Sequence, residues 1–452
     1  MKLHFIAIGG SAMHNLALAL HEKGYRISGS DDEIFEPSRS RLKSRGLLPA
    51  KQGWFPERIH NELDAVILGM HARKDNPELI RAKELGLKIY SYPEFLYEQS
   101  RDKKRVVIAG SHGKTTITAM IMHVLLEQGV DFDFMVGAQL EGFDVMVKIG
   151  EESELMILEG DEYLTSPDDP RPKFHLYRPH LALITGIAWD HINVFPTYNM
   201  YVEQFAKFIK LIEPGGYLTF YEGDEDLKSI ATINPAIRTA PYDLPELERK
   251  QNITYLKLSG KEFPLQVFGQ HNMQNIAGAM NICAELGISS IDFARSISTF
   301  AGASKRLQLI SSSESTSVYL DFAHAPSKLK ATVQAMKEQF PGRKLVACME
   351  LHTYSSLSKE FLEHYRGGMD MADAAMVYFN PHALKLKRLP EITCEQVKTA
   401  FGRTDLQVYN DSNEMLEALK SLEWTNSSLL LMSSGNFDGW NIPEIAQDLI
   451  KL

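Results

Sequence analysis

The chain has 452 residues, 44% of them hydrophobic, and a formal charge of −10, which allows about three domains of roughly 150 residues each. The acidic balance supplies no global basic field, so a nucleic-acid partner is not expected, and no stretch of about 18 apolar residues suggests a membrane span. Cys283, Cys348 and Cys394 lie too far apart for a zinc knuckle or a disulfide framework, so a soluble, cytoplasmic, α/β protein is expected, acting as a monomer.

In chain order, "LHFIAIGG", "RISGSD", "DAVILGM" and "KIYSYPEF" read as short strands separated by stretches of helical periodicity, the pattern of a parallel sheet in a Rossmann-like domain. The charged break "QSRDKKR" ends it near residue 102. A second strand-loop-helix unit follows at "VVIAGSHGKTT", with Ile117, Met120, Ile121, Val124 and Leu125 on one helix face. "LMILEGDE" and "HLALITGI" are further strands ending in polar residues. From about residue 307, "VYLDFAHAP", "RKLVACMELH", "AAMVYFN" and "SLLLMSSGNFDG" are strands of a third α/β block. The expected domains are 1–102, 103–306 and 307–452: a Rossmann-like N-terminal domain, a central P-loop ATPase-type domain and a C-terminal Rossmann-like domain.

Five stretches carry chemistry. In "GSHGKTT", Gly110 and Gly113 allow backbone amides to face phosphates, Lys114 neutralises phosphate charge and Thr115 can ligate magnesium; Ile108 stands where a Walker sequence has its first glycine. "LEGDEY" and "WDHINVF" place Glu159, Asp161, Glu162, Asp190 and His191 at strand ends, where oxygen donors suit a hard cation. "FGQHNMQN" offers His271, Asn272 and Asn275 at a helix start, where asparagines also serve as plain caps. "GASKRL" brings Lys305 and Arg306, and "LDFAHAP" brings Asp321 and His324.

In this order the five stretches resemble the Mur ligase family along essentially the whole chain. The resemblance implies ATP binding by Gly110, Ser111, His112, Gly113, Lys114, Thr115, Thr116, His271, Asn272, Asn275, Arg306, Asp321 and His324. It implies magnesium held by Thr115, Glu159 and His191, with Lys114, Glu159 and His191 catalytic. It further implies UDP-sugar binding by Gly9, Gly10, Ser11, Ala12, Met13, Ser30 and Asp31. The activity implied is ATP-dependent joining of the UDP-N-acetylmuramate carboxylate to an amine through an acyl phosphate. "EGDEY", "LDFAHAP" and "MSSGNFDG" resemble the branch that adds the tripeptide L-Ala-γ-D-Glu-meso-diaminopimelate during recycling. The branch that adds L-alanine, and a nucleotide-sugar-binding regulator without catalysis, are the alternatives. Gly186, Ala188 and Lys305 depart from the family pattern, which has Asn, Glu and Arg there. Ala206 stands where other members carry a carbamylated lysine, so no carbamate is expected.

Overall fold

In a computed structural model of the protein, residues 1–451 are described except 71, 141, 142, 144, 167, 190–193, 251, 252, 304 and 305. By internal contacts they form two compact units, 1–245 with 274–297, and 246–273 with 298–452.

The first unit contains two sheets. One is all parallel, in the order β2-β1-β3-β4, from β1 (Lys2–Ile6), β2 (Arg26–Ser30), β3 (Ala65–Leu68) and β4 (Ile89–Ser91). Its helices are α1 (Ser11–Glu22), α2 (Ser38–Ser44), α3 (Pro77–Glu84) and α4 (Tyr92–Ser100). Ile6 lies opposite both Ser30 and Leu68, so the turns after β1, β2 and β3 open at one end of the sheet. Helix α4 starts at a capping box: the Ser91 hydroxyl accepts the Glu94 N–H, and the Glu94 carboxylate accepts the Ser91 N–H at 2.8 Å.

The larger sheet runs β11-β10-β9-β5-β8-β6-β7. Its strands are β5 (Lys104–Ala109), β6 (Asp133–Met135), β7 (Val147–Lys148), β8 (Leu155–Glu159), β9 (Leu181–Ile184), β10 (Tyr217–Tyr221) and β11 (Arg238–Tyr242). Only β7 runs antiparallel to its neighbour. Strands β5, β8 and β9 are buried apolar runs, as expected of central parallel strands covered on both faces. Ile108 faces Glu159 on one side and Leu183 on the other, which brings the loops after these three strands to one edge.

Helix α5 (Lys114–Glu127) buries all five residues expected on its packed face. Helix α6 (Tyr198–Lys210), capped by Thr197, buries Tyr201, Phe205, Phe208 and Ile209 at intervals of four, three and one. Only one face of such a helix meets the core, and here that face is largely aromatic. A short α7 (Glu225–Ile230) follows β10.

The second unit starts with a three-stranded antiparallel sheet, β12 (Leu247–Lys250), β13 (Ile253–Leu258) and β14 (Lys261–Leu265). Ser259 and Gly260, both at positive φ, form the two-residue turn between β13 and β14, the conformation that matches strand twist. The division between units falls inside α8 (Gln270–Glu285), after Met273. α9 (Ser290–Ile297) belongs to the first unit, and α10 (Pro326–Gln339) to the second.

The remaining sheet is β15-β16-β20-β17-β18-β19, from β15 (Gln308–Ser312), β16 (Thr316–Asp321), β17 (Lys344–Leu351), β18 (Ala374–Phe379), β19 (Gln407–Tyr409) and β20 (Ser427–Met432). All pairs but β15·β16 are parallel. Among the described residues no helix is long and apolar enough to cross a membrane.

Candidate active site

The turn after β1 places Gly9 and Gly10 ahead of α1, with Ser11, Ala12 and Met13 in its first turn. Asp31, just past β2, accepts the Gly9 N–H at 2.7 Å, and a Cβ on Gly9 would lie 2.9 Å from the same carboxylate oxygen. Ser30 and Asp31 are buried. Burial pushes the Asp31 carboxyl up to about 6; the Gly9 N–H opposes this and neighbouring Asp32 adds to it. A helix start with a glycine turn and an adjacent acid suits an anionic sugar nucleotide, with amides toward phosphate and carboxylate toward hydroxyls.

The second site lies on the loop between β5 and α5. Gly110 and Gly113 adopt φ of 115° and 82°, the left-handed region that glycine enters without strain. A Cβ on Gly113 would lie 2.5 Å from Asn275 Oδ1, so the loop is seated against Asn275 of α8. Ser111 and Thr116 are buried beside it, and His112 Nδ1 bonds the Ser111 carbonyl at 2.9 Å.

Lys114 Nζ donates to the Gly110 carbonyl and to Glu162 Oε2, both at 2.7 Å. Burial by itself disfavours its charge, but Glu162, Asp161 and Glu159 outweigh that and hold the ammonium above its usual range. Asp161 has the converse balance: burial opposes its charge, yet Lys173 at 2.5 Å and Lys114 pull its carboxyl below the usual value.

Thr115 Oγ1 donates to Glu159 Oε1 at 2.9 Å, and the other carboxylate oxygen accepts the Gly137 N–H at 2.9 Å. A hydroxyl and a carboxylate converging at the mouth of a phosphate loop fit magnesium, which takes few protein ligands and completes its octahedron with phosphate oxygens and water. Among the described residues no three His, Cys, Asp or Glu side chains are grouped to hold a metal. Asp190 and His191, the other expected metal residues, lie outside the described residues, as does Lys305.

Gly186 has φ of 138°, and a Cβ there would lie 3.2 Å from Asp224 Oδ2. That carboxylate also takes the Ile187 N–H at 2.6 Å. At this φ an asparagine side chain would be strained.

Nothing in the sequence marks Tyr201 as a site residue. It is fully buried, and its hydroxyl lies 2.9 Å from Ser111 Oγ and 3.2 Å from Glu162 Oε1.

In the second unit, Asp321 closes β16. Its carboxylate accepts the Leu307 N–H at 2.6 Å and the Ala323 N–H at 2.7 Å, fixing the turn that carries His324. His324 Nδ1 bonds the Phe322 carbonyl at 2.9 Å, and the Arg306 guanidinium stacks 4.5 Å from the Phe322 ring. Burial holds His271 below the usual histidine range, against the charge of Asp321. Asn272, at the start of α8, donates through its side-chain amide to the Phe268 carbonyl four residues earlier at 2.8 Å. Asp321, Glu350 and Ser433 share one end of this sheet; Glu350 accepts from Ser433 and from the Phe437 N–H, with His352 Nδ1 at 3.6 Å.

The chain matches the Mur ligase family, catalytic domain, over residues 2–104, the Mur ligase middle domain over 108–283 and the Mur ligase, glutamate ligase domain over 305–435. It is 31% identical to the UDP-N-acetylmuramate–L-alanine ligase of Desulforamulus reducens over 81% of each chain. The chain belongs to the Mur ligase family. As a Mur ligase it is an ATP-dependent, ADP-forming amide ligase that uses ATP with Mg2+. Among solved structures, the UDP-N-acetylmuramate–alanine ligase of Thermotoga maritima matches with a TM-score of 0.71 at 20% identity, covering 100% of this chain and 98% of the other. A murein peptide ligase from Psychrobacter arcticus matches at 0.66 with 21% identity and the same coverage. At these identities both likenesses speak to the fold.

Proposed function

We propose that the protein joins the carboxylate of UDP-N-acetylmuramate to the amine of L-alanine in the cytoplasm, with residues 1–102 holding the sugar nucleotide and 103–306 holding ATP. The observation that carries the activation chemistry is the convergence of Lys114, Thr115 and Glu159 on one glycine loop. A carboxylate does not acylate an amine at neutral pH because oxide is a poor leaving group. Attack of a carboxylate oxygen on the γ-phosphorus of ATP gives an acyl phosphate and ADP; the amine then adds to the carbonyl and phosphate departs. Such phosphoryl transfer needs positioning and charge neutralisation more than covalent help. Lys114 would neutralise phosphate charge, and Thr115, Glu159 and His191 would hold a magnesium ion that supplies further charge neutralisation. Asn275 braces the loop.

L-alanine is favoured as the amine by the relative of 31% identity that bears that name, in place of the tripeptide that the sequence motifs suggest. The tripeptide remains the second reading, carried by Tyr163 after the acid cluster and by the "LDFAHAP" turn. Purified protein with ATP, Mg2+ and UDP-N-acetylmuramate is offered each amine, and product mass is read. Product with L-alanine supports the first reading; product with the tripeptide alone replaces it with the second.

A further inference from the structure

Helix α2 is basic in an acidic chain. It carries Arg39, Arg41 and Lys43 and no acid, although the formal charge of the whole is −10. The helix is stitched to the glycine turn, because His14 Nδ1 lies 2.9 Å from the Gly10 carbonyl and 3.0 Å from Ser38 Oγ. Arg41 reaches out from it in two directions. Its Nη1 approaches Asn15 Oδ1 at 3.5 Å, and Asn15 in turn donates to the carbonyl of Ser11, the first residue of α1, at 2.8 Å. Its Nη2 donates to Gln139 Oε1 at 2.8 Å, and Gln139 stands two residues beyond Gly137, whose N–H holds Glu159.

Both acceptors are neutral amide oxygens, and among the described residues Arg41 makes no ion pair, whereas Arg45 at the end of the same helix pairs with Glu22 at 3.0 Å. A partly buried guanidinium held by neutral oxygens keeps its full charge, and these two contacts use a minority of its five N–H donors. Such a fork suits a phosphate or a carboxylate. The proposed substrate has both: UDP-N-acetylmuramate carries a diphosphate and a carboxylate, and it must extend from the glycine turn toward Lys114 and Glu159 to be phosphorylated. Arg41 bonds to the elements that carry each of these two places. We propose that Arg41 binds an anionic group of the sugar nucleotide, phosphate or carboxylate, at the junction of α1, α2 and the loop that carries Gln139. This deepens the reading of residues 1–102 as the sugar-nucleotide domain and rests on it.

The test is calorimetry of the full chain with UDP, UDP-N-acetylglucosamine, UDP-N-acetylmuramate and ATP with Mg2+, comparing wild type with Arg41→Gln, Arg41→Lys and Gln139→Ala. Thermal unfolding establishes that each variant is folded. Arg41→Gln removes the charge and weakens UDP-N-acetylmuramate binding about 10- to 100-fold, the effect of one charged hydrogen-bonding partner, with ATP affinity held within about twofold. Arg41→Lys keeps the charge without the fork and falls between the two. Gln139→Ala keeps the cation and stays within about threefold of wild type. A loss shared by UDP and UDP-N-acetylglucosamine assigns the diphosphate to Arg41, and a loss confined to UDP-N-acetylmuramate assigns the carboxylate. Unchanged UDP-N-acetylmuramate affinity in Arg41→Gln, an equal loss for ATP, or a loss matched by Gln139→Ala, as a plain brace of that loop would give, would each overturn the proposal. Failure of the wild type to bind any of the three UDP compounds would instead overturn the reading of residues 1–102 on which it stands.

Discussion

Lowering the pH from 7 to 5 should weaken UDP-sugar binding about tenfold through one carboxyl group. Asp31 sits at the mouth of the first sheet, where burial pushes its carboxyl up to about 6. Near that value it is about nine-tenths ionised at pH 7 and one-tenth at pH 5. If the charged form accepts the hydroxyls of the bound nucleotide, the population able to bind falls by the same ratio. Burial holds the nearby His14 below the usual histidine range. Titration calorimetry of UDP-N-acetylmuramate into the enzyme, without ATP, measures this directly between pH 5 and 8. Asp31→Asn can still accept the Gly9 N–H through its amide oxygen, so the turn survives. Its affinity should be flat with pH and close to that of the wild type at pH 5. A wild-type affinity constant across the range, or a tenfold loss that persists in Asp31→Asn, would refute the assignment of Asp31 to the ligand.

Lys114→Ala should abolish turnover in a phosphate-release assay while UDP-sugar affinity by calorimetry stays within about twofold, since the two sites lie on different sheets. Burial depresses the His175 imidazole from 6.5 to about 4, with its Nε2 bonded to the Gln204 carbonyl at 2.8 Å. Between those values the unfolded chain binds the extra proton, so stability falls as the pH drops through this window, by about 3 kcal/mol in full. Urea unfolding at pH 7 and pH 4.5 should reveal that loss in the wild type and a smaller one in His175→Gln. The guanidinium of Arg105, 2% exposed, donates to the carbonyls of Ser100, Arg101, Lys103, Tyr177 and Arg178. Arg105→Met strands these buried acceptors, an effect of about 3–5 kcal/mol. It should lower Tm and speed tryptic cleavage around residues 101–104.

The phosphate site was legible because its parts are local. A buried apolar strand, two glycines, Lys114 and a helix of 3.6-residue periodicity lie in one uninterrupted stretch, and Glu159 ends the neighbouring strand in register with it. Asn275 was legible as a helix cap or, through the resemblance, as a nucleotide-site residue, whereas its seat against Gly113 comes from tertiary packing. Tyr201 could not be read at all: in a helix with an aromatic face, nothing distinguishes the residue whose hydroxyl meets two partners from Phe205 and Phe208, which only pack. The sheet β12-β13-β14 was missed for another reason. Its strands are half exposed and rich in Lys and Glu, with Pro264 on an edge strand, so no apolar alternation announces them.

In the proposed reaction, ATP activates the sugar-nucleotide carboxylate at the Lys114 loop. UDP-N-acetylmuramate labelled with oxygen-18 in its carboxylate, incubated with enzyme, ATP, Mg2+ and L-alanine, tests it through the mass of the released phosphate. Transfer through an acyl phosphate places one labelled oxygen in each phosphate formed. Amide product accompanied by unlabelled phosphate would contradict the claim.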